Sequence, residues 1–218
     1  MDYRWNHKRV YRVYTLMRLN LRNKRKRRLP ARVKAPLLRP IGPNITWSLD
    51  FMHDTLANGK TIRTLNIMDD FNREALSITA DTSLPASRVI RELNKLIEWR
   101  GKPEKIRSDN GPEFIAGAIS EWCKASGIEW EHIQPGKPTQ NSLIERFNRT
   151  FRQDVLNSYL FETLSQVHKY ANAWLWMYNN ERPHSSLGYL TPVEFLLKYG
   201  KLSAEFPTFQ QDISNNND

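Results

Sequence analysis

The 218 residues carry 33 Lys and Arg against 23 Asp and Glu, a net charge of +10, with 39% hydrophobic residues and a mean hydropathy of −0.65. That length suits one catalytic-sized domain with extensions or two small domains, with a real core beneath a very polar surface. No apolar run approaches the roughly 20 residues of a membrane span; the basic N-terminus lacks the apolar block of a secretory signal; and a single cysteine, Cys123, excludes an intrachain disulfide framework and a cysteine zinc site. An intracellular protein without a membrane partner is expected.

The charge is uneven. The first 40 residues hold 14 of the basic groups and one acid, Asp2, so this segment carries +13 and the remainder −3. Such an arm neutralises phosphates in a salt-sensitive, largely sequence-independent way, the alternatives being a solvated tail or an anionic membrane surface. Residues 3–21 read as a helix, with Val10, Tyr14, Met17 and Leu21 at helical spacing. The run Lys24, Arg25, Lys26, Arg27 and Arg28 follows, then a linker punctuated by Pro30, Pro36, Pro40 and Pro43. One helix with a basic tail cannot bury its own apolar face, so residues 1–44 read as a basic helical DNA-binding arm and linker, the end of a larger module.

From residue 45 the pattern changes. Residues 45–52, 61–68 and 75–80 read as strands joined by an Asn58-Gly59 turn and an Asp69–Arg73 turn, an antiparallel meander. A helix begins at Ser83 or Ala86 and ends at Gly101. Residues 105–108 read as a strand, 114–126 as a helix closed by Gly127, and 128–133 as a strand. Hairpins followed by αβ crossovers imply an α/β fold with a mixed sheet whose last strands run parallel to its first. Two long helices, about 142–160 and 164–179, and a short one at 191–200 with Thr191 as N-cap and Pro192 at its first position complete a core of residues 45–200. The stripe Leu164, Val167, Ala171, Trp174 and Tyr178 reads as helix-packing core rather than a base-stacking platform. The tail 201–218 should be disordered. Cys123, in a helical pattern, reads as a buried structural thiol.

Three carboxylates draw attention. Asp50 lies in an otherwise apolar strand; a buried unpaired carboxylate is costly, so it either ligates a metal or faces water, and the residue alone leaves both readings open. Asp109 ends a strand at Ser108-Asp109-Asn110-Gly111-Pro112, the place where α/β sheets gather ligands, although Asp-Asn-Gly turns are also common without function. Glu145 follows after 35 intervening residues. On a helical wheel Leu143, Phe147 and Phe151 cluster opposite it, and Arg149 and Arg152 lie about 40° and 20° from it. The helix should thus present a carboxylate flanked by arginines, either a surface ion pair or a metal ligand with phosphate-gripping neighbours. The histidines show no metal spacing; His184 either touches nucleic acid or orders its own turn.

Taken together, Trp47-Ser48-Leu49-Asp50-Phe51, Ser108-Asp109-Asn110-Gly111-Pro112-Glu113-Phe114, the 35-residue gap and Asn141-Ser142-Leu143-Ile144-Glu145-Arg146-Phe147 resemble the DDE core of retroviral integrases. They are closer still to insertion-sequence transposases of the IS-three family, in their second reading-frame product. Tyr178-Asn179-Asn180-Glu181-Arg182-Pro183-His184-Ser185-Ser186-Leu187-Gly188-Tyr189, then Thr191-Pro192, is similar to that family's C-terminal motif. The resemblance covers about residues 45–197.

The resemblance implies an RNase H-like mixed five-stranded sheet flanked by helices. Asp50, Asp109 and Glu145 would be its catalytic, metal-binding triad, holding two Mg²⁺ ions with Mn²⁺ able to substitute. It also implies metal-dependent DNA strand cleavage and strand transfer during transposition, in bacterial cytoplasm and on the nucleoid. The implied partners are transposon-end and target DNA, further copies of the chain on that DNA, and the first-frame product of the same element. Lys137, Gln140, Asn141, Arg149, Arg152 and Arg182, with residues 24–28, are the DNA-contact candidates. Against the family pattern the N-terminal module is shortened. That leaves a second reading, a truncated, non-catalytic DNA-binding product that represses transposition. A third, a ribonuclease H-type hydrolase, does not account for the 35-residue gap or the C-terminal motif.

Overall fold

The computed structural model describes residues 5–19, 39–109, 117–133 and 141–200. The chain divides into two compact units, Met1–Lys34 and Ala35–Asp218. In the first, α1 (His7–Leu16) is shorter than the 3–21 expected from periodicity. Asn6 caps it by accepting from Lys8 N–H, and Arg18 turns left-handed at φ 54°. None of its residues is buried, so the apolar stripe of Val10, Tyr14 and Met17 is exposed. Residues 24–28, Lys137, Gln140 and the tail from 201 lie outside the described residues.

The second unit is built on five strands: β1 (Thr46–Thr55), β2 (Thr61–Asp69), β3 (Ala75–Asp81), β4 (Lys105–Ser108) and β5 (Glu129–His132). They lie in the order β3-β2-β1-β4-β5. The first three form the expected antiparallel meander, and β4 and β5 are parallel to β1 and to each other. Gly59, at φ 82°, makes the first hairpin turn with Asn58 accepting from Lys60 N–H, a geometry that needs a residue without a Cβ penalty.

Helices cover both faces. On one lie α2 (Ala86–Arg100) and α3 (Gly117–Ser126), whose Val89, Leu93, Ile119 and Cys123 pack against Trp47, Leu49, Leu65, Ile67 and Ile106. Cys123 is buried as expected, and burial pushes its thiol up to about 12. On the other face lie α4 (Ser142–Phe151) and α5 (Leu164–Asn180). Phe147 and Phe151 meet Trp174 there at ring-centroid distances of 5.4 and 5.1 Å, over Met52, Met68, Ile78 and Ala80. The stripe on α5 is therefore core.

One expectation changes, and a polar strand residue is buried. The helix expected to run 142–160 keeps α geometry only to Phe151 and continues as a π turn, Arg152–Leu156, that buries Val155 and Leu156. Asn66, set between Leu65 and Ile67 in an alternating strand, is fully buried, because a sheet covered on both faces has no watery side. Last, α6 (Pro192–Tyr199) starts with a full capping box, Thr191 Oγ1 accepting from Glu194 N–H and Glu194 accepting from Thr191 N–H. Its Phe195 joins Phe71 and Leu187 in a small cluster at the β2–β3 turn.

The α4–α5 seam should dominate the stability of this unit. Phe151→Ala is expected to lower unfolding free energy by about 3–5 kcal/mol, whereas Leu160→Ala, at a side chain 81% exposed, should change it by less than about 0.5 kcal/mol. Urea titrations of both variants check this.

Candidate active site

Strand register brings the first two carboxylates together. Parallel pairing of β1 with β4 runs from Thr46↔Lys105 to Leu49↔Ser108, so Asp50 and Asp109 are the next residues on adjacent strands. Leu49 faces α2 and α3, so alternation turns Asp50 to the opposite face, towards α4. There α4 buries Ile144, Phe147, Asn148 and Phe151 and leaves Glu145, Arg146 and Arg149 exposed. The wheel thus placed Glu145 on the outward side, with Ile144 rather than Leu143 as the most buried residue of its first turn.

Asp50 is half-buried and closely held. Its Oδ1 accepts from Phe51 N–H at 2.8 Å, and its Oδ2 accepts from Asn148 Nδ2 at 2.7 Å. Asn148 Oδ1 in turn accepts from the buried Asn66 Nδ2 at 2.6 Å. Burial first, then the negative charges of Asp109 and Glu145, raise the Asp50 carboxyl to about 6, against those two hydrogen bonds, which lower it. All three carboxylates therefore share one electrostatic neighbourhood. Sequence reading missed Asn148 and Asn66; the available signal was an amide three residues after Glu145, on the edge between the exposed and buried sides of the wheel.

Among the described residues no three Asp, Glu, His or Cys side chains stand close enough to close on a single ion. The donor set nevertheless fits a hard divalent cation: only carboxylate oxygens, gathered against their own repulsion, one of them pinned by amides.

The remaining candidates differ in setting. Arg149 is exposed beside Glu145 on α4. Arg152 is engaged, its Nη2 donating to His53 O at 2.7 Å and its Nη1 lying 3.6 Å from Asp54 Oδ2, so it braces the end of β1. Arg182 pairs with Asp154 at 2.7 Å, and Asp154 also accepts from Trp174 Nε1 at 3.1 Å. Asn141 is buried, with its Oδ1 unpartnered among the described residues. His184 orders its own turn: its N–H donates to Leu190 O at 3.0 Å, and its ring packs on Tyr178 at 4.8 Å.

Residues 41–138 and 126–192 each match an integrase core domain profile. The insertion element IS407 uncharacterized 31.7 kDa protein of Burkholderia multivorans is 41% identical over 208 residues, covering 95% of this chain and 75% of that protein. The chain belongs to the insertion-element transposases with an integrase-type core. The transposase is also 42% identical over 194 residues to the insertion element IS476 uncharacterized 39.2 kDa protein of Xanthomonas euvesicatoria, spanning 89% of itself and 56% of that relative. In fold it is similar to the HTLV-2 integrase catalytic core domain, solved in complex with magnesium, with a TM-score of 0.58 at 23% identity, over 72% of this chain and 99% of that one. A chain of the simian T-cell lymphotropic virus intasome gives 0.63, also at 23% identity, over 77% of the transposase and 60% of that chain. The transposase therefore has the RNase H-like fold expected, a mixed five-stranded sheet flanked by helices. No helix among the described residues is long and apolar enough to cross a membrane.

Two outcomes are expected. An Asp50 carboxyl raised to about 6 favours the protonated fold, so without metal its contribution is present below about pH 4 and lost as pH rises through about 6. Asp50→Asn should remove that part of the slope and raise stability at pH 7 by roughly 2 kcal/mol; melting temperatures between pH 4 and 8 in EDTA check it, with the also-raised Asp69 supplying a residual slope. Arg152→Ala should cost about 1 kcal/mol through loss of its β1 contacts, and unchanged denaturation curves would contradict the bracing role.

Proposed function

We propose that this transposase is a divalent-metal-dependent polynucleotidyl transferase that cleaves DNA at the ends of its insertion element and joins those ends to target DNA. What supports the reading is that Asp50 and Asp109 stand next to each other beyond the β1–β4 pairing and that Asp109 and Glu145 both bear electrostatically on Asp50. Asp50, Asp109 and Glu145 would hold the metal, Mg²⁺ as two ions with Mn²⁺ able to replace it. When bound, the metal supplies activation of the attacking oxygen and charge stabilisation on the leaving oxygen.

The chain's own residues set the stage for two in-line displacements at phosphorus, by water and then by a DNA 3′-hydroxyl. Asn148, backed by Asn66, fixes Asp50 Oδ2 and so fixes the orientation of the carboxylate. The fused seam of α4 on the sheet holds Glu145 in place relative to the two strand ends. Arg149, exposed and without an ion pair among the described residues, suits a DNA phosphate, as do Lys137, Gln140, Asn141, Arg182 and residues 24–28 of the basic arm. Arg152 reaches DNA only by leaving its β1 partners. No side chain serves as a covalent nucleophile. The protein works on nucleoid DNA in the bacterial cytoplasm, self-associates on that DNA, and takes the first-frame product of its element as a partner.

The test is incubation of labelled element-end DNA with the wild type and Glu145→Gln in Mg²⁺ or Mn²⁺. The wild type should nick and join DNA, and the variant should bind with similar affinity while losing at least about 10²-fold in rate. If both proteins bind and neither cleaves, the chain is the non-catalytic repressor instead; degradation of RNA–DNA hybrids without DNA joining would mark a ribonuclease H-type hydrolase.

A further inference from the structure

One residue on from Glu145, Arg146 lines a cavity of about 210 Å³ between the start of α4, the β2–β3 turn, the end of α5 and the turn at residues 185–187. Its polar lining is Arg73, Arg146, His184, Ser142, Ser185 and Ser186, with no carboxylate among the described lining residues. Tyr178 and Phe147 form its apolar wall. Arg73 Nε, belonging to this lining, is buried and has no hydrogen-bond partner among the described residues. A buried donor left unpaired costs about 1–3 kcal/mol, more when charged, so a guanidinium donor on this cavity calls for an external acceptor. His184 Nε2 is also buried and unpartnered among the described residues, but burial lowers that imidazole to about 4 and its ring bonds the Tyr178 backbone, so Nε2 is an acceptor and adds no donor.

The cationic character is built in. Arg73 holds a left-handed backbone, φ 61°, and its Nη1 donates to Asp70 O at 2.6 Å, which anchors the guanidinium at the cavity. Burial, reinforced by the charge of Arg39, lowers it to about 10. Arg39 donates to Ser186 O, and Arg182 bears electrostatically on Tyr178 and His184. Asp70 and Asp69 bear electrostatically on Arg73, but the nearby carboxylates direct their hydrogen bonds elsewhere. Asp70 accepts from Ser48 and Arg107, Asp69 from the backbone of Asn44 and Phe71, and Asp154 from Arg182 and Trp174. The first residue of α4, Ser142, also lies on the cavity, and the helix has no side-chain cap there.

We propose that this cavity is a phosphate pocket that holds one phosphodiester of the DNA strand passing the carboxylates. The fixed guanidinium of Arg73, the exposed one of Arg146, serine hydroxyls and the absence of acids among the described lining residues select a phosphate, and the apolar wall suits the attached sugar. DNA is favoured over a soluble phosphate because Arg146 and Glu145 are consecutive on α4, so a strand engaged at one passes the other. The proposal rests on the DNA-processing reading above.

The experiment uses the full chain in EDTA and a fluorescein-labelled element-end duplex, intact or with a single neutral methylphosphonate at each backbone position in turn. Arg146→Ala tests the cavity from an exposed side chain, and Arg73→Lys keeps the charge while removing the guanidinium fork; circular dichroism confirms folding. If Arg73→Lys fails to fold, Arg146→Ala carries the test alone. One methylphosphonate position should weaken wild-type binding by about tenfold. Arg146→Ala should weaken the intact duplex similarly, reduce the salt slope by about one, and be insensitive to methylphosphonate at that one position. Unchanged binding by Arg146→Ala, or losses that add at every position, overturns the pocket. If no position matters but inorganic phosphate raises the melting temperature of the wild type and not of Arg146→Ala, the pocket serves a soluble phosphate and the DNA assignment falls. Wild-type cleavage in the Mg²⁺ or Mn²⁺ assay above, with unchanged Arg146→Ala binding in EDTA, sinks only the pocket; the expected Arg146→Ala and methylphosphonate losses with no wild-type cleavage in that metal assay sink only the enzymatic reading.

Discussion

Parallel pairing of β1 with β4 ends at Leu49 and Ser108, and the next residue on each strand is an aspartate. Neighbouring strands lie about 5 Å apart, and at an effective dielectric near 20 two charges at that distance repel by roughly 3 kcal/mol. On β1 itself the Phe51 N–H, donating to Asp50, offsets part of this. Further compensation comes from across the fold: Asn148 donates to Asp50 from α4, and Asn66 holds Asn148 from β2. The aromatic seam of Phe147, Phe151 and Trp174 then fixes α4, and with it both Asn148 and Glu145, against the sheet. The packing of one helix thus positions Glu145 and, through Asn148, holds Asp50.

Much of this could be read from residue order. The strand periods, the Gly59 turn, the Gly101 stop and the outward side of α4 depend on local rules, and the structure follows them within a few residues at most boundaries. Glu145 was placed by the 3.6-residue period alone. Asn66 and Asn148 were not legible because their partners are 82 and 98 residues apart in sequence, and because an amide in an alternating strand looks like a solvent-facing residue until both faces are known to be covered. The end of α4 was missed for a related reason. A π turn adds one residue without any Gly or Pro to announce it, and only the tertiary partners of Arg152 and Asp154 reveal why it forms.

The β2–β3 turn shows how a tight connection can knit distant parts of a fold. Asp69, Asp70, Asn72 and Glu74 are all buried. Asp70 joins β1 to β4 through Ser48 and Arg107, Glu74 takes Arg100 from the end of α2, and Asn72 reaches Pro192 O at the start of α6. Asn179 closes the group from α5 by exchanging hydrogen bonds with the Ala75 backbone at 2.9 and 2.8 Å. A short polar run that reads as a surface loop is therefore an internal junction, with the acids neutralised or hydrogen-bonded inside the protein.

The π turn at Arg152–Leu156 has a geometric consequence of its own. An extra residue in one turn shifts the angular phase of everything after it by about 100° relative to an ideal helix. Before the insertion the helix is phased to serve the carboxylates. Within the turn, which closes the helix at Leu156, Asp154 meets Trp174 and Arg182 while Val155 and Leu156 turn inward. The insertion acts as a mechanical phase converter, letting one continuous backbone satisfy two docking schedules that no single helical pitch could meet. Deleting the extra residue would restore a plain α turn with the flanking side chains still in phase, whereas a deletion earlier in α4 would rotate Asp154, Val155 and Leu156 away from their partners.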